Sequence, residues 1–373
     1  MTHQGILLST AIGDAYGAGF EYDAPTPERP NALRYVPNTK HPTLRFAGYT
    51  DDTQMAIGVA EALLTAGLGN TPSRVDFADS FVNCFRRDPR VGYSRRMQGF
   101  MEGCRTGADL IERIRPDSAK SGAAMRSGPL AWLPSLEVVL ATAELQARIT
   151  HDTTGGVLSS CATAAGGFAL RTGLCNRSNL PEWLSDTLGY DFLLPWSGPV
   201  GSAGLDSVRA AVTLVAHYED YESVLKAGVD LTGDVDTVLA VACGFLSWDR
   251  PFAPVLPDVL VNDLENGAYG RDWLDALDIR CEVAFDGRPR VGQHIWHSDI
   301  EDGQYAEFQG GRMTVYPDKK HSGFFTWTLE RDKRPELGRE GIESSRDEAV
   351  RCVEARLVPS NLREANPEIL HFP

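Results

Sequence analysis

Tyr49-Thr50-Asp51-Asp52-Thr53, heading the run Thr53 to Leu64, and Gly233-Asp234-Val235-Asp236-Thr237, heading the run Val235 to Phe245, decide how this chain is read. Each places carboxylates and hydroxyls at the mouth of an apolar segment. In the first, Met55, Val59, Ala62 and Leu63 recur at helical spacing, which predicts an amphipathic helix. The second run is apolar all round, which predicts a central buried helix. Helix capping by itself explains Thr50 and one Asp, because both residue types accept hydrogen bonds from orphan backbone N–H groups and complement the helix dipole. It explains two adjacent Asp less well. Asp234 and Asp236 at a buried helix mouth need a cation beside them, either an arginine or a metal. Four hard oxygen acids from two distant segments suit Mg²⁺, which takes carboxylate, hydroxyl and water oxygens in an octahedron. The expectation is that the two clusters meet and hold one or two such ions.

Outward from these clusters the chain reads as helical. Ile6 to Tyr16 is apolar and rich in small residues, which predicts a buried, closely packed first helix ending in a glycine-rich turn. It carries Gly13-Asp14-Ala15 and leads to Glu21. Residues 23 to 47 are rich in Pro, Asn and Arg and read as a loop. Residues 70 to 120 read as polar helices broken at Pro72, Pro89 and Pro116. In Lys120-Ser121-Gly122-Ala123-Ala124-Met125-Arg126-Ser127-Gly128-Pro129-Leu130, small residues bracket one arginine. Such a loop either brings backbone N–H groups to a phosphate or simply connects two helices. Leu136 to Ala147, the segment headed by Thr150-His151-Asp152-Thr153, Ser207 to His217 and Tyr221 to Val229 are further helices. His151, at a helix start, is read equally well as a ligand contact or as a capping residue.

Beyond Phe245 the pattern is broken by Pro251, Pro254 and Pro257, and a helical segment resumes from Gly267 to about Leu277. After that the character changes. Tyr305 to Phe308 and Met313 to Tyr316 flank Gln309-Gly310-Gly311-Arg312, a hairpin signal, and Phe324 to Leu329 alternates as a third strand. Ser345 and Glu348 form a capping box for a helix bearing Val350, Val353 and Leu357. The spacing of His294 and His297 invites a metal reading that no third ligand supports. The expected organisation is an all-α core over residues 1–280 with a small mixed α/β appendage over 281–373.

Composition limits the function. The net charge of −15 argues against nucleic-acid binding, which needs a basic face. Seven scattered cysteines without a C-x-x-C pair read as free thiols in a reducing compartment. The N-terminal apolar run lacks a basic flank, and no apolar run is long enough to span a bilayer. A cytoplasmic protein without a membrane partner is expected.

Taken together and in order, the motifs Gly13-Asp14-Ala15-Tyr16-Gly17 with Glu21, Tyr49 to Met55, Gly122 to Arg126, Thr150-His151 and Gly233 to Thr237 resemble the ADP-ribosylglycohydrolase family. That family includes dinitrogenase reductase-activating glycohydrolase and the ADP-ribosyl-acceptor hydrolases. The resemblance spans roughly residues 5 to 278. It implies an all-helical domain whose cleft holds two Mg²⁺, or Mn²⁺, and hydrolysis of the bond between ADP-ribose and a modified protein side chain, arginine first. By the match, Thr50, Asp51, Asp52, Asp234, Asp236 and Thr237 would be metal ligands. Ser121, Gly122, Ala123, Met125 and His151 would lie along the ADP-ribose. Glu21 matches a mobile acid/base glutamate of some members, while others give more of the chemistry to the metal-bound Asp51 and Asp52. Implied partners are an ADP-ribosylated protein or ADP-ribose derivative and, where members act as immunity proteins, an ADP-ribosylating toxin; the chain is expected to be a monomer. The alternative is a non-catalytic ADP-ribose or nucleotide binder, or a partner-blocking protein, on the same fold. The chain departs from the family at Thr232, where a glycine is usual, and at Lys120-Ser121-Gly122, where Gly-Asn-Gly is usual. It also departs in about twenty extra residues near 246 to 266 and in the appendage.

Overall fold

The computed structural model describes residues 5–39, 42–248 and 254–285 in full, and farther on the backbone of five short strands. The first unit, Gln4–Asp278, is all-α. Its helices run α1 (Ile6–Ala18), α2 (Asp51–Ala66), α3 (Arg74–Arg87), α4 (Arg95–Gly103), α5 (Gly107–Arg113), α6 (Leu136–Ala147) and α7 (Thr154–Thr172). They continue with α8 (Leu180–Leu188), α9 (Gly204–His217), α10 (Tyr221–Leu231), α11 (Val235–Trp248), α12 (Asp258–Asp263) and the first half of α13 (Arg271–Phe285).

The middle of the unit is the pair α1 and α11, in both of which every residue is buried. Their backbones approach too closely for side chains. A Cβ at Gly13 would strike the carbonyl oxygen of Leu239, and one at Gly17 would lie 2.5 Å from the Cα of Asp236. The small residues of the first helix therefore serve a helix crossing, and that crossing brings Asp14 close to the mouth of α11. The start of α1 is fixed by Asp278 of α13, whose carboxylate accepts 2.9 Å hydrogen bonds from the amides of Leu7 and Leu8. A carboxylate at that end also complements the helix dipole.

Around this pair, α2 packs on α3, α6 on α7, and α9 and α10 on α11. The predicted amphipathic helix after Asp52 is buried over nearly its whole length. Its polar residues are satisfied internally: the Gln54 amide donates to the carbonyl of Asp88 at 2.6 Å and accepts from the Tyr93 hydroxyl at 2.9 Å. Periodicity reads polarity as exposure and misses such pairings. The loop after Lys120 forms two 3-10 turns, Ser121–Ala123 and Gly128–Trp132. α11 continues three residues past Phe245, and the extra segment contributes α12. The six described cysteines are free.

The second unit, from Ile279 onward, contains an antiparallel sheet in the order β1 (His297–Ser298), β2 (Gln304–Phe308), β3 (Gly311–Pro317), β4 (Phe325–Arg331), β5 (Arg339–Glu343). The expected hairpin pairs Ala306 with Met313 and closes more tightly than predicted, with Phe308 opposite Gly311. The capping box at Ser345 and Glu348 with its helix, His294, the side chain of His297 and Cys352 lie outside the described residues. Among the described residues no helix is long and apolar enough to cross a membrane.

Candidate active site

Asp14 organises the first half of the site. It is fully buried on α1 and accepts hydrogen bonds from the backbone and hydroxyl of Thr50 (2.9 and 2.8 Å) and of Thr53 (3.0 and 2.6 Å). Burial raises its pKa, and these four donors work against that rise by stabilising the carboxylate. Asp14 thus pins the first turn of α2 to the central helix. Thr50 is the N-cap, with its hydroxyl facing the amide of Asp52 at 3.4 Å. Capping and a site role coexist here: Thr50 caps, while Asp51 and Asp52 turn into a cleft.

The second half is set at Thr232 and Gly233. Gly233 has φ +91°, and a Cβ there would strike the carbonyl oxygen of Val200. The Asp234 amide donates back to Val200 at 3.0 Å. Thr232 has φ +63° and ψ 169°, a region that is nearly glycine's alone. This is where the sequence departs from the glycine usual in the family it resembles, so the substitution holds a β-branched residue in a strained backbone. The carbonyl of Gly233 also accepts from the Tyr22 amide at 2.8 Å, which draws the Glu21 segment to the mouth of α11. One carboxylate oxygen from each of Glu21, Asp234 and Asp236 then lies within 4.8 Å of the others.

The two halves face one cleft of about 200 Å³. One wall carries Glu21, Asp51, Asp52, Asp234 and Asp236. Burial lifts Asp51, Asp52 and Asp236 well above the usual carboxylate range, and repulsion from neighbouring carboxylates, Asp14, Glu21 and Asp234 among them, adds to it. Asp234 is pushed up to about 6, again mainly by burial, with the Ser121 hydroxyl offsetting part of the rise. Among the described residues no lysine or arginine forms an ion pair with Asp51, Asp52, Asp234 or Asp236. Asp52 Oδ1 and Asp236 Oδ1 are buried and have no hydrogen-bond partner. Unpartnered hard oxygens on residues that line a polar cleft, with the arginine alternative missing, fit a divalent cation.

The rest of the lining is cationic or small and includes Arg96, Lys120, Ser121, Gly122, Met125, Arg126 and His151. Arg126 is 1 % exposed and donates to Gln146 Oε1 at 2.5 Å and to the Thr150 hydroxyl at 3.0 Å. That hydroxyl lies 2.6 Å from His151 Nδ1. Burial, reinforced by Arg126 and Arg96, lowers His151 to about 3, so the ring is neutral at ordinary pH. Gly122 is needed beside it: a Cβ there would lie 2.8 Å from His151 Cε1.

Not every expected residue reaches the cleft. Ala123 is fully buried and lines no part of it, and the Thr50 hydroxyl is engaged by Asp14. Ser121 donates to Asp234 (3.2 Å) and lies 3.4 Å from the Thr237 hydroxyl, so its loop is tied to the mouth of α11. Sequence reasoning missed Asp14 as the anchor of α2, and missed Tyr22, Arg96 and Lys120 as cleft residues. The Gly-Asp-Ala motif carried a signal for Asp14. Arg96 and Lys120 are ordinary polar residues until the fold places them.

Comparisons with known proteins bear on the fold and the family. The family model for ADP-ribosylglycohydrolase matches residues 3–289. A solved structure titled "ADP-ribosylglycohydrolase-related protein complex" aligns with a TM-score of 0.56 at 23% identity, covering 75% of this chain and 96% of that one. No curated protein matches. The likeness to that structure carries the fold, and the family model extends over most of the chain and all of the cleft: this chain belongs to the ADP-ribosylglycohydrolase family.

Proposed function

We propose that the protein is a Mg²⁺-dependent hydrolase that releases ADP-ribose from modified protein side chains, with ADP-ribosyl-arginine as the preferred substrate. The observation that carries this reading is one cleft lined both by Asp52 and Asp236, each with an unpartnered carboxylate oxygen, and by Lys120, Arg96 and neutral His151. A diphosphate belongs beside Lys120 and Arg96, whose charges balance its own, with the neutral His151 ring next to it. The terminal ribose then lies at the acidic wall. Asp51, Asp52, Asp234, Asp236 and Thr237 would hold a pair of divalent ions there, which supply Lewis acidity toward the ribose and water.

The chain's own groups do the rest. Glu21 reaches the same point as Asp234 and Asp236 from a separate loop, which suits a carboxylate that guides a proton between water and the leaving nitrogen as positive charge grows on the ribose. The surrounding carboxylates stabilise that charge. A guanidinium acceptor is cationic and is attracted to this rim, where the half-exposed ring of Tyr22 offers an aromatic face.

The test uses arginine- and serine-ADP-ribosylated proteins, each with Mg²⁺ or chelator, and measures released ADP-ribose. Mg²⁺-dependent release from the arginine conjugate is expected. Release from the serine conjugate alone would refute the acceptor. Binding of ADP-ribose without release from either would refute hydrolysis and leave a binding protein.

A further inference from the structure

The extra segment between α11 and α13 ends in Glu265, and Glu265 is built into the support of the acidic wall. Its backbone amide donates to the carbonyl of Ala47 at 3.0 Å, and its carboxylate accepts from Arg90 Nη1. Arg90 is buried at the centre of an ion cluster. Its guanidinium lies 3.7 Å from the centroid of the Tyr49 ring, and Nη1 donates to the Tyr49 carbonyl at 3.3 Å. Nε donates to Asp88 Oδ2 at 2.7 Å. Arg45 completes the cluster, at 2.8 Å from Asp88 and 3.7 Å from Glu265.

Both loop segments that Arg90 joins touch the site. Tyr49 immediately precedes Thr50, the N-cap of α2. In Arg90's own segment, Gly92 (φ +114°) lies flat on Asp51: a Cβ there would strike Asp51 Oδ1 and sit 3.0 Å from Thr50 Cβ. One guanidinium thus holds two lengths of loop against the same aspartate, and Glu265 holds the guanidinium.

We propose that Glu265 is a positioning residue, which fixes Arg90 and through it the Tyr49 and Gly92 backbones on either side of Asp51, so that the acidic wall is set before a cation arrives. The physical need is plain. Asp51, Asp52, Asp234, Asp236 and Glu21 repel one another when no cation is bound, and the arm from Arg45 to Thr50 would relax outward unless something opposed it. Two arginines and two acids sum to zero, so the cluster adds no net charge beside the aspartates. A buried ion cluster is a poor source of stability compared with apolar packing, but it fixes geometry well.

This inference rests on the reading of the acidic wall as a cation site, and it is tested on binding, using the full chain. Mg²⁺ is titrated calorimetrically into wild type, Glu265→Ala, Glu265→Gln and, as a control of stability alone, Leu184→Ala in the remote helix α8. Losing the partner of a ligand's support is expected to weaken Mg²⁺ about tenfold in Glu265→Ala with helical content retained. Glu265→Gln keeps an acceptor oxygen for Arg90 and should fall between the two. Leu184→Ala should melt earlier yet bind as wild type does. Equal affinity in wild type and both Glu265 variants would overturn the proposal, as would a loss in Leu184→Ala proportional to its lost stability. If Glu265→Ala does not fold, the Gln variant decides by the same criterion. Failure of the wild type itself to bind Mg²⁺ would overturn the proposed function instead.

Discussion

Asp234→Asn should stabilise the cation-free protein at neutral pH while removing its response to Mg²⁺. Burial lifts the Asp234 carboxyl from 3.8 to about 6. A folded-state value above the unfolded one means that stability is intact at low pH, where both states are protonated. It is lost as pH rises to the folded value, and the loss is complete above about 6. The gap of roughly two pH units corresponds to about 3 kcal/mol at pH 8. Asparagine stays neutral and keeps an oxygen for the Ser121 hydroxyl, so it avoids that cost. At about 2–4 °C per kcal/mol for a chain of this size, the variant should melt about 6–12 °C above wild type in chelator near pH 8. Near pH 4 the two should melt together. Mg²⁺ at a hundredfold excess over its dissociation constant would return about 2.7 kcal/mol to wild type, closing the gap, and much less to the variant. Thermal unfolding followed by circular dichroism at both pH values, with chelator or Mg²⁺, reads all four quantities. A wild-type deficit that does not change with pH, or equal stabilisation of both proteins by Mg²⁺, would refute the reasoning.

Asp52→Ala should abolish Mg²⁺-dependent turnover with the fold intact, because it removes an unpartnered ligand oxygen and only the hydrogen bonds at the helix mouths, to Thr50 and Thr237; wild-type rates in the variant would contradict the site. Thr232→Gly should raise the cation-free melting temperature. Relief of backbone strain of about 1–3 kcal/mol exceeds the roughly 0.5–1 kcal/mol lost to a more flexible unfolded chain, and a lower melting temperature would count against strain at φ +63°. His151 should not titrate between about pH 5 and 8 in a nuclear magnetic resonance experiment, since its pKa is lowered to about 3. An imidazole resonance with a midpoint near 6.5 would show that the ring is solvated and not held by Thr150.

The sequence by itself determined most of the helices, though not α8 or α12, and the two acidic clusters, because both are written in near neighbours. Apolar residues at helical spacing marked α2, α6, α9 and α10, and Asp-Thr pairs before apolar runs marked the mouths of α2 and α11. Even the departure at Thr232 was visible as a residue out of pattern. What those clusters do to each other is a matter of long-range placement. The Gly13 and Gly17 crossing sets Asp14 under α2, and the Gly233 carbonyl draws in the Tyr22 amide and with it Glu21. The neutrality of His151 depends on burial beside Arg126 and Arg96, which no local pattern expresses. Glu265 is the clearest case. In sequence it is one acid in a proline-broken segment that interrupts the motif order. In the fold it grips Arg90, 175 positions away, behind the aspartates. Local spacing records which backbone shape a segment prefers. Charge state, metal fit and support of the site arise from desolvation and contact between distant segments, and only the tertiary structure decides those.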